Sequence, residues 1–288
     1  MSDIRRLIEE FAKHNDIIFG ICDADDLVGL DESILCIPFF KGDFRDRISP
    51  SAFLNGAKSV IVLGAKVDMT PIFEGLNQVM APSMSGVDYH IRLKAITNDL
   101  ISKLKECAEF DYKVQIDTGP LIERAFAIKA GLGFRGKNGC VINPVFGSFF
   151  NIALIVTTLD IKTKLQSSTL SCHLCNKCVN ICPSNAINDN GVDYASCISF
   201  LTQKSGELTQ KESDLIVSSI YGCDLCQSIC PYNTHYNFKA QKENARYALE
   251  KILNMSNKEF SDTFKNSNLF WRGKTTIQRN CSISIKNL

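Results

Sequence analysis

Hydrophobic residues recur with two different periods in the first part of the chain, which predicts both helices and strands. An apolar stripe at positions i, i+3, i+4 and i+7 indicates a first amphipathic helix, formed by Ile4, Leu7, Ile8 and Phe11. Short apolar runs at 17–22, 59–67 and 149–157 predict strands, and the middle run has the pattern of a strand buried on both faces. A second helical stripe indicates a long helix over 89–110.

A strand and a helix are predicted to meet near Asp117. Residues 112–116 alternate between apolar and polar, so a strand is expected over these residues and should end at Asp117. Pro120 then stands at a favourable first helical position, and Gly131 is the expected C′ residue of that helix. The order of elements predicts an α/β domain over residues 1–165.

Eight cysteines with a regular spacing dominate residues 166–238. A group with the spacing C-x2-C-x2-C-x3-C-P is followed by a lone cysteine and a group with the spacing C-x2-C-x3-C-P; the eight are Cys172, Cys175, Cys178, Cys182, Cys197, Cys223, Cys226 and Cys230. The first spacing matches the bacterial ferredoxin pattern for a 4Fe–4S cluster, in which the fourth Cys ligates the other cluster of a pair. This segment therefore predicts a ferredoxin-like domain with two 4Fe–4S clusters. Helical stripes over 239–288 predict a helical C-terminal segment.

The ferredoxin pattern implies crossed ligation. One cluster is assigned to Cys172, Cys175, Cys178 and Cys230, and the other to Cys182, Cys197, Cys223 and Cys226. The first group supplies four cysteines and the second only three, so Cys197 is needed to bring the number of thiolate ligands to eight. Zinc is the alternative, since C-x2-C pairs also build four-cysteine zinc sites, although the first spacing is not that of a zinc ribbon.

Composition excludes several classes of protein. The formal net charge is +1, so no basic surplus indicates a nucleic-acid-binding protein, although a local basic patch remains compatible with it. The N-terminal sequence is not that of a signal peptide, and no apolar run reaches the ~18 residues of a membrane span. Cysteines kept as thiolates for iron indicate a reducing compartment, so we expect a cytoplasmic protein. We also expect no membrane attachment and a monomeric protein. The five other cysteines are expected to be buried apolar residues: Cys22, Cys36, Cys107, Cys140 and Cys281.

Asp117 is the best local candidate for acid–base chemistry, because it lies where the predicted strand meets the start of a helix. The competing interpretation is that Asp117 or Thr118 merely caps that helix. A helix N-terminus also lowers the pKa of a carboxylate, whereas a general acid needs a raised pKa, which would require a desolvating group above it. His90, at the start of the long helix, is a second candidate for contact with a ligand.

Several motifs together resemble the epoxyqueuosine reductase family, the cobalamin and iron–sulfur enzymes of queuosine synthesis in tRNA. The matching stretches include AKSVIVLG, GVDYH, DTGPLIERAFAIKAGLGFRGKNGCVIN, CHLCNKCVNICPSNAI, CISFLTQ and YGCDLCQSICPYN, and they follow the order of the family. The combination of DTGP-x-x-ER, AGLG-x-x-GKN and CD-x-CQ-x-x-CP is specific. The chain is therefore identified as resembling an epoxyqueuosine reductase over nearly its whole length.

The resemblance implies a cobalamin-binding α/β domain related to that of reductive dehalogenases, followed by the double-cluster domain. It implies that electrons pass from the two clusters to the cobalt of cobalamin, which acts on the epoxide of epoxyqueuosine in the anticodon region of tRNA, with Asp117 as proton donor. An electron donor of unidentified nature is also implied. Candidate cobalamin contacts are Arg47, His90, Asp117, Lys137 and Asn138, and for Arg47 a solvated surface position is the competing interpretation.

The chain departs from the family pattern in four places. His173 follows the first cluster cysteine where members usually carry Gly, the segment after Cys197 reads LTQK, CPWN becomes CPYN, and the helical repeats that commonly follow are absent from the sequence. A basic face from Arg272, Lys274, Arg279 and Lys286 is the candidate for holding tRNA. Two alternatives stay open: a related cobalamin and iron–sulfur reductase that acts on a small molecule in the manner of a dehalogenase, and a two-cluster electron carrier.

Overall fold

A computed structural model describes residues 2–29, 43–163, 170–172, 174–188, 191–216, 219–236 and 244–287. Its strands are β1 (Ile17–Asp23), β2 (Ser59–Lys66), β3 (Tyr112–Gln115), β4 (Phe134–Arg135), β5 (Val141–Ile142), β6 (Phe150–Thr157), β7 (Ile187–Asn188) and β8 (Gly191–Val192). Its helices are α1 (Ser2–His14), α2 (Phe44–Ile48), α3 (Pro50–Phe53), α4 (Leu76–Val79), α5 (Tyr89–Lys105), α6 (Glu123–Lys129), α7 (Lys177–Ile181), α8 (Ile198–Leu201), α9 (Gln210–Leu215), α10 (Leu225–Ser228), α11 (Ala245–Leu253), α12 (Asn257–Phe264), α13 (Asn268–Arg272) and α14 (Lys274–Lys286). The chain divides into two compact units, one of Met1–Lys66 with Arg92–His173 and one of Val67–Ile91 with Leu174–Leu288.

The first unit is built on a sheet with the strand order β1-β2-β6-β3, and every neighbouring pair is antiparallel. The predicted strands are therefore present, and the mixed α/β class is confirmed. Asp117 was expected at the carboxyl edge of an α/β sheet, but that rule concerns parallel strands, so the position of Asp117 has another cause. β2 is buried along nearly its whole length because it is a central strand, as its continuous apolar run predicts.

Helix α6 packs against this sheet and ends as predicted. Gly131 follows it with φ of +82°, and its N–H donates to the carbonyl of Ile128 at 2.9 Å. The next residue, Leu132, donates to the carbonyl of Ala127 at 2.9 Å, which completes a Schellman-type ending that glycine adopts without strain. Gly20 of β1 allows the close approach of this turn, since a Cβ there would stand 2.1 Å from the carbonyl oxygen of Ala130.

The start of α6 differs from the prediction. The helix begins at Glu123 rather than at Pro120, and its N-cap residue is Ile122, whose side chain makes no capping bond. The interpretation of Asp117 or Thr118 as a cap is therefore wrong. Residues 116–122 instead form a loop between β3 and α6, and the strand that was expected to reach Asp117 ends at Gln115. The start was mispredicted because the loop is held by side chains, described below, and not by helix capping.

The second unit combines the cysteine-bearing segments that follow Cys172 with the C-terminal helices. Helix α4 packs with α11, and α11 with α14, around a core that includes Leu76, Val79, Leu249, Phe264 and Ile277. The predicted helical C-terminal segment is present over the described residues. Residues 67–91 belong to this unit, whereas the predicted division placed them within 1–165. The division into 1–165, 166–238 and 239–288 stays a prediction about functional domains.

Two neighbouring residues of α14 bind the segment between Cys197 and Cys223. Asn280 is fully buried, and its Nδ2 donates to the carbonyls of Thr202 at 2.7 Å and Ile220 at 2.8 Å. Arg279 donates from Nη1 to the carbonyls of Lys204, at 2.8 Å, and Gly206. Arg279 and Asn280 thus join α14 to the segment between Cys197 and Cys223.

Candidate active site and iron–sulfur centre

The loop that carries Asp117 is closed by one buried side chain. Gln115, at the end of β3, donates from Nε2 to the carbonyl of Leu121 at 2.8 Å and accepts the N–H of Leu121 at 2.9 Å through Oε1. This two-way pairing imitates a backbone ladder and brings residues 115 and 121 together. Gly119 leaves room for the same side chain, because a Cβ at that position would stand 2.3 Å from the Gln115 amide. The loop therefore depends on Gln115 and Gly119 as a matched pair.

Asp117 projects from this loop in a left-handed backbone conformation, with φ of +56°. Asp tolerates this region better than most residues because its short polar side chain finds local partners. Its backbone N–H donates to Oε1 of Glu123, at the start of α6, over 2.6 Å. Gln115 Nε2 also points to that oxygen, at 3.3 Å. The Asp117 residue is exposed, so its carboxyl is accessible to a reaction partner.

Glu123 and Asp117 form a pair of neighbouring acidic groups. Burial raises the pKa of Glu123 to about 7, and the nearby negative charge of Asp117 raises it further, against the opposing effect of the hydrogen bonds from Asp117 and Gln115. A carboxyl that titrates near neutrality beside an exposed carboxyl is typical of an acid–base site. The sequence prediction missed Glu123, although the ER of DTGP-x-x-ER was a signal for it.

Arg47 supports the far end of the same loop. It is 8 % exposed, and its Nη1 donates to the carbonyl of Pro120 at 3.3 Å. The carbonyl of Arg47 accepts the N–H of Ile122 at 3.0 Å. The competing interpretation of Arg47 as a solvated surface residue is therefore wrong. Arg47 acts on the site through the loop that carries Asp117.

The GKN segment at 136–138 is linked both to α6 and to a cluster cysteine. Arg124 of α6 donates from Nη1 to the carbonyl of Gly139 at 3.1 Å. The backbone N–H of Lys137 points to Sγ of Cys172 at 3.4 Å. Asn138 is buried, and its Oδ1 accepts the N–H of Cys140 at 3.2 Å. Asp117, Lys137 and Cys172 are thus connected through a short series of contacts within the first unit.

His90, at the start of α5, belongs to the second unit. Its Nδ1 lies 2.8 Å from Oδ1 of Asp88, which also accepts the backbone N–H of His90 at 2.9 Å. The ring stacks on Tyr89 with 4.2 Å between the ring centroids. Asp88 therefore fixes the orientation of the imidazole. The role of His90 as a ligand contact stays a prediction.

Short helices present the cysteines of the second unit. Cys178 lies in α7 and Cys226 in α10, each as the second member of a C-x2-C pair, and these two helices pack against each other. Burial raises the pKa of the Cys223 thiol to about 11, and the charges of Cys197 and Cys182 raise it as well. Cys182 and Cys197, which sequence reasoning assigned to the same cluster as Cys223, therefore each lie near Cys223. Their assignment as ligands stays a prediction.

A buried carboxylate holds the second cysteine group. Asp224 accepts the N–H and the hydroxyl of Ser83, both at 2.9 Å, and Nε2 of Gln227 at 3.0 Å. Burial raises the pKa of Asp224. Sequence reasoning did not single out Asp224 or Gln227, although both belong to the CD-x-CQ motif.

The donor set fits iron–sulfur chemistry, because thiols are the ligands that cubane irons take. Within the described ranges, no group of three or more His, Cys, Asp or Glu side chains is arranged to hold a single metal ion. A cubane has a different requirement, since its four thiolates bind four separate iron corners. Of the five other cysteines, Cys22 and Cys281 are buried as expected, Cys140 is partly exposed, Cys107 is exposed, and Cys36 lies outside the described residues.

Comparison with known proteins agrees with these features. Residues 171–233 match the family model of the 4Fe-4S double cluster binding domain. An epoxyqueuosine reductase of Lactococcus garvieae is 33% identical over 258 residues, which cover 84% of this chain and 72% of that protein. Among helices of the described residues, none is long and apolar enough to cross a membrane.

Solved structures extend the similarity to the whole fold. The epoxyqueuosine reductase of Streptococcus thermophilus has a TM-score of 0.89 at 31% identity and covers 99% of this chain and 81% of its own. An epoxyqueuosine reductase crystallised with a tRNA-Tyr epoxyqueuosine-modified stem loop has a TM-score of 0.86 at 28% identity, over 99% of this chain and 82% of that one. A Bacillus subtilis epoxyqueuosine reductase, whose catalytic aspartate loop is swung out of the active site, has a TM-score of 0.84 at 28% identity, over the same shares. The catabolic reductive dehalogenase NpRdhA shares the fold alone, with a TM-score of 0.50 at 15% identity over 94% of this chain and 34% of that one.

The fold and the double-cluster segment define an iron–sulfur oxidoreductase that shares its fold with the reductive dehalogenases. Within that class, the identity and coverage of its relatives show that this chain belongs to the epoxyqueuosine reductase family. The family predicted from the motifs is confirmed, and so are the reductase class and the double 4Fe–4S domain.

Proposed function

We propose that this protein reduces epoxyqueuosine to queuosine in the anticodon region of tRNA. Family membership over most of the chain is the observation that carries the proposal, and a relative bound to an epoxyqueuosine-modified stem loop supports tRNA as the substrate. The reaction takes two electrons and two protons, removes the epoxide oxygen as one water molecule, and leaves a carbon–carbon double bond.

The eight cysteines would hold two 4Fe–4S clusters that pass electrons singly from an unidentified reductant. Cobalamin, when bound, supplies a low-valent cobalt centre that is strongly nucleophilic or reducing. Among the candidate contacts, Lys137 and His90 lie within segments that match the family, GKN and GVDYH. Arg47 and Asn138 are buried, and Arg47 Nη1 and Asn138 Oδ1 bind backbone groups of the chain itself, so both residues would hold loops beside the cofactor.

Asp117 would donate the proton that the opening epoxide oxygen needs. Its carboxyl is exposed at the tip of a loop whose two ends are held by Gln115, Glu123 and Arg47, so it can meet a substrate without losing its position. General acid catalysis requires a fixed donor within hydrogen-bond reach of the oxygen. The carboxyl of Glu123 stands beside it and titrates near neutrality, as an acid–base site requires.

Part of the predicted basic face would contact the tRNA. Arg279 is engaged with backbone carbonyls, which leaves Arg272, Lys274 and Lys286 as the candidate cations. The Arg272 guanidinium lies over the Trp271 ring, 5.0 Å from its centroid, and Trp271 is 57% exposed. Aromatic and guanidinium planes are surfaces on which unpaired bases stack.

A nucleoside assay tests the proposed reaction. A bacterial strain without its own epoxyqueuosine reductase accumulates epoxyqueuosine in tRNA, and expression of this chain is expected to restore queuosine. Anaerobically purified protein is expected to show absorbance bands of both 4Fe–4S clusters and cobalamin. Persistent epoxyqueuosine with a stably expressed, cofactor-loaded protein overturns the proposed substrate, and protein that binds no cobalamin overturns the proposed chemistry.

A further inference from the structure

We infer that Glu123 is a positioning residue that latches the Asp117 loop by accepting the backbone N–H of Asp117. The inference rests on the proposed function, because it assigns the control of the proposed proton donor. In this role Glu123 affects the reaction by positioning Asp117, and it does not need to contact the substrate.

The contacts that hold the loop are divided between its two ends. Gln115 and Arg47 hold positions 120–122, where the loop enters α6. At the Asp117 end, Thr118 donates to the carbonyl of Ile116 and Gly119 to that of Asp117, which shapes the turn locally. The 2.6 Å bond from Asp117 N–H to Glu123 Oε1 joins this turn directly to the helix. Glu123 therefore controls the end of the loop that carries the carboxyl.

The backbone conformation of Asp117 also requires support. A non-glycine residue with φ of +56° is less stable than in the common regions, so a local interaction must offset that cost. In this conformation the Asp117 N–H points at Glu123. Without an acceptor there, this conformation loses one of its supports, and a change to a negative φ would turn the carboxyl away from its present direction.

Glu123 is the first residue of α6, and its side chain turns back toward the loop. Because α6 lacks a side-chain cap at Ile122, Glu123 at the first helical position is favoured by the helix dipole. That effect alone would leave the carboxylate in solvent, at the end of the helix. Instead the carboxyl is turned back and largely desolvated between Gln115 and Asp117, and its pKa is raised to about 7. Helix stabilisation by itself does not explain that placement.

The Bacillus subtilis relative, whose catalytic aspartate loop is swung out of the active site, shows that a loop of this kind has more than one position in the family. A latch at the base of the loop would decide between such positions. In this chain Glu123 is the residue placed to do so.

The test compares Glu123→Ala with Glu123→Gln in protein loaded with both clusters and cobalamin. Gln keeps an oxygen that accepts the Asp117 N–H, whereas Ala removes it. In Glu123→Ala we expect amide hydrogen exchange in residues 116–122 to accelerate about tenfold and kcat to fall about tenfold, with KM and cofactor absorbance unchanged. Glu123→Gln is expected to keep hydrogen exchange in residues 116–122 within about twofold of the parent.

Glu259→Ala is the matched control, since Glu259 is also a first-turn carboxylate that accepts a backbone N–H, that of Ser256 at 2.7 Å. It should leave exchange in 116–122 and kcat unchanged. If Glu123→Ala does not accumulate as folded protein, Glu123→Asp shortens the side chain by one methylene and is expected to show the same acceleration of exchange.

The latch is overturned if amide hydrogen exchange in residues 116–122 is as slow in Glu123→Ala, or in Glu123→Asp in its place, as in the parent protein. Hydrogen exchange in Glu123→Gln that is as fast as in Glu123→Ala also overturns it, because that result would assign the loop's protection to the charge of Glu123 and not to its acceptor oxygen. Hydrogen exchange is measured without turnover, so it decides on the latch even if the protein proves inactive on epoxyqueuosine. Inactivity of the parent protein bears on the proposed function alone.

Discussion

The Asp117 loop and the cysteine-bearing helices are positioned by different means. The cysteines follow a fixed spacing in which short helices, α7 and α10, place the second thiol of each pair. The loop contains no regular structure and is held by side chains of Gln115, Glu123 and Arg47 that bind its backbone. A cluster can be encoded in local sequence, whereas the position of a lone carboxyl depends on residues from three separate elements.

The strongest test of this comparison removes the proposed proton donor and leaves the iron–sulfur segment untouched. Asp117→Asn is nearly isosteric and keeps the loop, but its amide is not an acid. We expect turnover of epoxyqueuosine-containing tRNA to fall by about 10²–10⁴-fold, as measured by nucleoside analysis, with unchanged absorbance of both cofactors. Asp99→Asn on exposed α5 is the control, and full activity of Asp117→Asn would rule out its role as proton donor.

The converse test acts on the cysteines alone. Cys197 lies outside both short motifs, and its thiol is close to Cys223. Cys197→Ser is expected to lose or destabilise one cluster, so that the iron content falls from about eight toward about four per chain. Cys107→Ser, on an exposed cysteine outside the motifs, should keep the full iron content. An unchanged iron content in Cys197→Ser contradicts the crossed assignment.

A smaller effect is expected from the buried carboxylate beside the second cysteine group. Asp224→Ala leaves the N–H and hydroxyl of Ser83 without their acceptor in a buried position. We expect the free energy of unfolding to fall by about 2 kcal/mol, as measured by anaerobic denaturation in urea. Asp214→Ala, which removes an exposed carboxylate that accepts from Gln210, should change stability by less than about 0.5 kcal/mol. Equal losses in the free energy of unfolding for the two variants would show that the bonds of Asp224 to Ser83 do not stabilise the protein.

The smallest expected effect is a pH dependence of the free energy of unfolding that is caused by Glu123. Burial and the Asp117 charge raise its pKa from the ordinary 4.5 to about 7, so the folded state keeps a proton that the unfolded chain releases between these values. This contribution to stability is fully present below about pH 4.5 and is lost as the pH rises through about 7. Glu123→Gln does not titrate, so its stability relative to the parent should rise by about 1 kcal/mol between pH 6 and 8.

Denaturation of the two proteins at a series of pH values measures this difference. Glu250→Gln is the control, because Glu250 is an exposed partner of Arg246. A constant difference in stability between Glu123→Gln and the parent from pH 6 to 8 would show that Glu123 does not titrate in that range.

Much of the architecture was accessible from periodicity alone. The main strands of the sheet and helices α1 and α5 were predicted within a few residues of their ends, apart from the last five residues of the 89–110 prediction. These elements have long apolar patterns that local sequence records. The start of α6 was mispredicted because Pro120 and Asp117 look like a helix start, whereas the pairing of Gln115 with Leu121 holds those residues in a loop.

The candidate site divides in the same way. The sequence motifs indicated Asp117, the GKN segment and all eight cysteines, because their spacing and chemistry are local properties. The burial of Arg47 against Pro120 and the bond from Asp117 to Glu123 were not predictable, since each depends on how the chain returns to the same place.

The amino-acid sequence alone was enough for the family, the two-cluster chemistry, the identity of the candidate proton donor and most regular elements. These follow from residue type and spacing, which folding does not alter. The antiparallel strand order, the membership of residues 67–91 in the second unit, and the carboxyl pair of Asp117 and Glu123 came only from the tertiary structure. Burial, charge proximity and hydrogen bonding join residues that are distant in sequence or separated by a loop, so a linear pattern does not contain them.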